Sequence, residues 1–503
     1  MFRHLIAAWA ILTLATIASA AEPRRGKAPK ENPRLSGGLA TTAVVDEQAY
    51  RQPVEWLNRN QQNQFELGEA LFDDLADLLA KKYAKTPPGR DRNVVRTPAQ
   101  TQRRLRGRPP VATAAPNADD LHPPIGPLAS AHNCQNCHVR NGRGSLAIGY
   151  YATDSANIPI HLSVPGTGPE GGPLPHPMYG LQIQTMAVGV GRPEVQRMRS
   201  IPREIPGEYG DGEKYKLTRP EWSLLGPQYG AVGDQTLMSH RFTPSVFGLG
   251  LLEAVPDETI LKMAEVNDAD GNEVSGKANV VHDYVTGRKG VGRFGGKAQH
   301  PSVRQQIAAS ARFDHGVSTR VFPEDDMTQQ QRRSLGWFEQ EPDELSDDEL
   351  ASIELYMRSI AVPVRREHND PQVKLGERVF ELVGCANCHV PKLVTGPHEL
   401  EFLANQTIYP YTDLLLHDMG PELADDRPVF EADGNEWRTP PLWGIGLAEK
   451  VAGGRTQYLH DGRAATLEEA ILWHGGEAEK SREEFRKLPK ADRELLLRFL
   501  ASL

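Results

Sequence analysis

The sequence is short of three things. It holds only four cysteines in 503 residues. All four fall in two short motifs, so once those are used none is left for a structural disulfide. It has no apolar stretch of the roughly 20 residues that a membrane-spanning helix needs. Strong charge is missing as well: 57 Lys and Arg against 66 Asp and Glu leave −9 at pH 7, which gives no reason to expect nucleic acid as a partner.

What is present starts at the N-terminus. Arg3, the apolar run Leu5 to Ile17 and the small residues Ala18-Ser-Ala20 form the pattern of an export signal over 1–20. The expected location is therefore the periplasm. The two cysteine motifs are Cys134-Gln-Asn-Cys137-His138 and Cys385-Ala-Asn-Cys388-His389. Both have the spacing C-x-x-C-H. Two thiols three positions apart can each form a thioether to a haem vinyl group, while the adjacent imidazole reaches the iron. A single copy could equally be a redox dithiol or half a zinc site. Two copies that consume every cysteine in an exported chain point to two covalent c-type haems, with His138 and His389 as proximal iron ligands.

Residues 21–60 are polar and rich in Pro, Arg and Gln, which predicts a flexible arm. Phe65-Glu-Leu-Gly-Glu-Ala-Leu-Phe72 opens a helix whose apolar spacing runs to Leu79, and Lys374-Leu-Gly-Glu-Arg-Val-Phe380 echoes it before the second motif. Seven arginines between Arg90 and Arg108 lie in the first unit's extra segment; they read as a hydrated loop or a basic docking strip. Between His138 and about 340 the Gly-Pro clusters predict irregular chain. Ser346-Asp-Asp-Glu349 is a capping box before Leu350, Ile353, Met357 and Ile360, and Leu495 to Leu503 repeats that closing helix at the C-terminus. These patterns predict a mainly α fold. It would comprise two tandem cytochrome c-like haem domains, 61–365 and 366–503, the first enlarged by long loop insertions.

A set of further motifs carries a resemblance. They are Gly248-Leu-Gly-Leu-Leu-Glu-Ala-Val-Pro256, Gly292-Arg-Phe-Gly, Pro410-Tyr-Thr-Asp-Leu-Leu-Leu-His-Asp-Met-Gly420, Trp437-Arg-Thr-Pro-Pro-Leu-Trp443, Leu459-His-Asp-Gly-Arg463 and Leu472-Trp-His-Gly-Gly-Glu477. Over about 130–503 the chain resembles the di-haem oxidoreductase family, within the bacterial di-haem cytochrome c peroxidase and MauG superfamily. The resemblance implies one closed haem that passes electrons and one open haem where hydrogen peroxide reacts. It also places His474 in the slot that holds the sixth ligand of the C-terminal haem, giving a bis-His site with His389. His460 would be a hydrogen-bonding group near the haem interface, and His417 a structural one.

For the open haem the first candidate proton shuttle is Glu253, with His240, His161 and His315 behind it. Two departures from the family pattern stand out: Gly296 where a Trp is usual, and Asp314-His315-Gly316 where Asp-Met-Gly is usual. Trp222, Trp437, Trp443 and Trp473 are the remaining large rings available. Asp268-Ala-Asp270-Gly-Asn272-Glu-Val274 supplies calcium-loop oxygens at positions 1, 3, 5 and 7. Glu273 and Asn279 replace the usual Gly and Glu, which leaves calcium open. The implied partners are hydrogen peroxide and a small electron-donor protein of cytochrome or cupredoxin type. MauG-like oxidation of a partner protein or bulky substrate, and non-catalytic electron transfer, remain the alternatives.

Overall fold

The computed structural model describes residues 31–85, 125–144, 158–188, 192–264, 268, 271, 273–335 and 343–503. The export signal, the basic strip and residues 269, 270 and 272 of the calcium-loop pattern lie outside them. The elements that position the site are α1 (Arg59–Lys85), β1 (Ile160–Thr167), β2 (Val195–Glu208), β3 (Lys214–Pro227), β4 (Leu237–His240), α2 (Val303–His315), α3 (Asp347–Arg358), α4 (Pro371–Leu382), α5 (Leu467–Leu472) and α6 (Lys490–Ser502).

The internal repeat becomes two helix pairs. Along α1, Phe65, Phe72, Leu75 and Leu79 share one face and are all buried. They pack on α3, with the Phe65 and Phe72 rings 4.9 and 5.5 Å from the Tyr356 ring. In the second half α4 crosses α6, with Phe380 5.2 Å from Phe499. The shared Leu-Gly-Glu has a physical reason. A Cβ on Gly68 would lie 2.1 Å from the Ser352 carbonyl oxygen, and one on Gly376 would lie 2.0 Å from that of Leu495. Each glycine is the point where the leading helix touches the backbone of the closing one. The start of α3 is sealed as the sequence predicts, and that of α4 by a cap found in the structure. Ser346 and Glu349 form the capping box of α3, and Asp370 caps α4 through the amides of Gln372 and Val373.

The expectation of a mainly α fold is wrong. Only 34% of the chain is helical and 20% is strand, spread over many small sheets. The region read as irregular because of its glycines and prolines supplies most of the error. There β2 and β3 form a hairpin of two 14-residue strands, in which Pro202 faces Pro220. A two-stranded ribbon leaves one edge of each strand unpaired, so prolines cost no ladder hydrogen bond when their missing N–H faces that edge. β1 pairs with β4, bringing Ile160 opposite His240 and His161 opposite Ser239.

Part of the predicted arm is also packed. Thr41–Thr42 pairs with Val362–Pro363, Ala49 and Tyr50 are buried, and the Tyr50 hydroxyl donates to the Gly444 carbonyl at 2.6 Å. The halves interlock through their cores. Leu414, Leu415 and Trp443 join the core around α1, α2 and α3. Tyr209 and Leu217, from the hairpin of the first half, join the core around α4 and α6. Among the described residues no helix is long and apolar enough to cross a membrane.

Candidate haem sites

Each C-x-x-C-H motif begins with a short helical turn. Asn133 caps Cys134–Asn136 by accepting from the Asn136 amide, and its own amide donates in return to Asn136 Oδ1. In the second motif Gly384, with φ of 87°, lets the chain turn sharply into Cys385–Asn387. The four cysteines are free thiols here. Burial pushes Cys134 and Cys385 up to about 12, and raises Cys137 and Cys388 as well. A redox dithiol works through a depressed thiol pKa, so these surroundings are the reverse of what that chemistry needs.

The two proximal candidates are held alike. His138 Nδ1 donates to the Pro244 carbonyl at 2.8 Å and His389 Nδ1 to that of Tyr411 at 3.0 Å. Fixing the proton on Nδ1 turns Nε2 into a lone-pair donor, the orientation an axial iron ligand requires. Dense surroundings lower both imidazoles to about 4, so both are neutral at pH 7, as a ligating histidine must be. These residues therefore fit haem.

His474 follows the end of α5, whose start is capped by Thr466 through the Glu469 amide. Its Nδ1 donates to the Ala470 carbonyl at 2.7 Å, again leaving Nε2 free. It lies close enough to His389 for its charge to help depress that residue's pKa. In the first half the group brought to the motif is His315, at the end of α2. Its Nδ1 donates to the Ala131 carbonyl at 2.8 Å and its Nε2 lies 3.6 Å from Cys134 Sγ. Its charge is felt by His138.

Glu253 is placed elsewhere. One carboxylate oxygen accepts from the Val303 amide at the start of α2, at 2.8 Å, and the other forms an ion pair with Arg358. It ties two helices together, and no contact among the described residues links it to His138. This placement gives Glu253 a structural role between the two helices. His161 and His240 lie on paired strands β1 and β4; His240 stacks on Trp222 with centroids 5.1 Å apart. His460 stacks on Trp437 at 3.6 Å, and its carbonyl accepts from the Phe242 amide at 2.6 Å. Trp443 and Trp473 are core residues.

His417 is more than a packing residue. It is buried, with Nε2 2.8 Å from Asp413 and Nδ1 2.7 Å from Glu477, and Nδ1 is 3.6 Å from Cys388 Sγ. Burial opposes its charge, but the Asp413 and Glu477 carboxylates outweigh burial and hold His417 well above the ordinary histidine value. Burial likewise works against the Glu477 charge. Its bonds to His417 and Ser275 prevail and lower it to about 2 from an ordinary 4.5.

The signs of the linkage are opposite for the two groups. The raised histidine gives its full contribution below about 6.5 and loses it as pH climbs through its folded value. The depressed carboxylate gives its full contribution above 4.5 and loses it as pH falls toward 2. The C-terminal haem region should therefore melt at a nearly constant temperature between about pH 4.5 and 6.5, and lose stability as pH rises above or falls below that window. Melts followed at the haem absorption band across pH check this, and a Glu477→Gln variant that keeps the acid limb would refute it.

Sequence reasoning did not find the role of His417, nor a group of buried cations built by Arg241, Lys297 and Arg427. These come from positions almost 200 residues apart, and no local pattern joins them. Gly296, the missing aromatic, lies against this group: a Cβ there would meet Arg241 Nη1 at 2.5 Å and the Trp437 ring at 3.4 Å.

Comparison with known proteins follows the same lines. The family model described as "Di-haem oxidoreductase, putative peroxidase" matches residues 229–503, more than half of the chain. No curated protein matches the sequence. Among solved structures, Kuenenia stuttgartiensis hydrazine synthase pressurized with xenon is similar at 15% identity. That alignment covers 53% of this chain and 73% of the other, and its TM-score of 0.27 is too low to support an argument.

Proposed function

The chain belongs to the di-haem oxidoreductase family, and from that membership we propose that it is an exported peroxidase carrying two covalently attached c-type haems. Haem, when bound, supplies the iron centres that carry electrons and reduce peroxide. The protein's own residues do the rest. Cys134 and Cys137, and Cys385 and Cys388, anchor the porphyrins. The Pro244 and Tyr411 carbonyls orient His138 and His389. His474 would hold the C-terminal haem together with His389, and that half would take in electrons from a small cytochrome or cupredoxin. His315, neutral and beside the N-terminal motif, takes a proton from peroxide and returns it to the leaving oxygen. Hydrogen peroxide, two electrons and two protons give two waters.

The observation that carries this reading is the inequality of the two halves. Each motif has a histidine 3.6 Å from a cysteine Sγ, His315 at Cys134 and His417 at Cys388, but among the described residues only His389 has a further histidine, His474, close enough to act on it electrostatically. The test is to follow the spin state of each haem before and after stoichiometric peroxide. One haem should stay low-spin while the other binds and consumes peroxide, two electrons for each molecule. Two six-coordinate haems inert to peroxide would leave only electron transfer.

A further inference from the structure

Arg241 and Lys297 hold a single carboxylate in direct contact, Asp425, and Arg427 lies within its electrostatic reach. Lys297 Nζ is 2.8 Å from Asp425 Oδ1 and Arg241 Nη2 is 3.3 Å from Oδ2. Lys297 is fully buried, Arg427 is 4% exposed, and Arg241 is nearly covered. Arg427 spends one nitrogen on the Leu162 carbonyl at 3.0 Å. Its Nε, and Arg241 Nη1, are buried and have no partner among the described residues. Asp326 also acts on Arg427, but burial raises it to about 6 and the Leu181 and Gln182 amides occupy it. His161, His240 and His460 around the group are all pushed toward the neutral form.

Three buried cations against one committed carboxylate is an unbalanced arrangement. Removing a charge from water costs several kcal/mol unless an opposite charge meets it, and each buried N–H without an acceptor costs about 1–3 kcal/mol more. Burial already lowers Arg427 to about 9 and Lys297 to about 8. The surroundings call for an anion with more than one oxygen, since the planar guanidinium fork suits a carboxylate best.

Its source is indicated by the chain itself. Arg241 is three residues from Pro244, whose carbonyl holds His138, and three extended residues reach about 10 Å. The neighbouring loop is tied to the same motif: Arg143 donates to the Gln457 and Leu459 carbonyls, and Phe242 to that of His460. Gly296 lies against Arg241 Nη1, with which a side chain at that position would collide. We propose that Arg241 and Arg427, with Lys297 behind them, bind the propionate carboxylates of the haem carried on His138. This rests on the haem reading above. It assigns the glycine at 296 a purpose: a large ring there would displace the guanidinium.

The test is redox potentiometry of the purified two-haem protein. Arg241→Gln and Arg427→Gln should each lower the potential of the N-terminal haem, because a lost cation favours the oxidised iron, and leave the C-terminal potential in place. Arg241→Lys, which keeps the charge, should give less than half the shift of Arg241→Gln. Equal shifts for Lys and Gln would mean packing alone and overturn the proposal, as would no shift at all. Inorganic phosphate titrated into the wild-type protein separates the two anion sources. A saturable shift of the N-terminal potential would mean a free-anion site and not a propionate site. Mass analysis distinguishes the deeper failure, since a chain with no haem on Cys134 and Cys137 refutes the haem reading itself.

Discussion

A His474→Gly protein should be purified with both haems attached and with its low-spin signal gone. The reasoning is local. His474 is past the end of α5, with Trp473 as the capping residue, so the substitution removes no interior helix bond. Its side chain makes one hydrogen bond, to the Ala470 carbonyl, so folding should lose about 1 kcal/mol. What is lost is an imidazole that acts electrostatically on His389 and whose Nδ1 is committed to Ala470. A haem left with His389 alone is five-coordinate or takes water, and its ferric form becomes high-spin. Its potential should rise once the second basic imidazole is gone. Turnover with a donor protein should slow. Added imidazole should restore the low-spin band, because it fills the vacated space. An unchanged spectrum would show that His474 is not the ligand and would remove the basis for placing electron intake in the C-terminal half.

What could be read from the sequence was whatever depends on a few adjacent residues. The C-x-x-C-H pairs, the capping box at Ser346 and the repeated Leu-Gly-Glu are local rules. The structure gives the last of them its meaning at the crossings of Gly68 with Ser352 and Gly376 with Leu495. The fold class failed because proline was taken to exclude strands, and an isolated hairpin is the setting where it does not. The ion pair of Glu253 was hidden for a related reason. A carboxylate in a family-like segment looked available for proton transfer, but the sequence gives no sign that Arg358, 105 positions away, already claims it. Charge networks are assembled by the fold, so their members are invisible until the strands and loops are in place. Asp413–His417–Glu477 and the Arg241 group are both of this kind.

His315 gives the sharpest test of the chemistry because one of its two hydrogen-bonding functions can be removed while the other is kept. In His315→Asn the side-chain amide can still donate to the Ala131 carbonyl in place of Nδ1, while nothing replaces Nε2. The residue is buried, so the small void should cost about 1–2 kcal/mol, too little to unfold a chain of this size. The reaction with peroxide should slow by about 10²–10⁴, the usual contribution of a positioned acid–base group. Electron transfer into the C-terminal haem should be unaffected. The pH dependence follows from the direction of the shift. Burial is the largest influence on His315 and lowers its pKa, with the Asp314 charge working the other way. The neutral, proton-accepting form therefore persists at pH 7, and the rate should fall only as pH drops below the ordinary histidine value of about 6.5. That acid limb should vanish in the asparagine variant. Stopped-flow measurement of the peroxide step across pH reads both effects, and the spectrum of the resting protein reads a third. If the N-terminal haem instead changes from low to high spin on losing Nε2, His315 is an iron ligand and both haems are closed. The protein would then be an electron carrier, because a proton-moving residue leaves the coordination of the resting iron untouched.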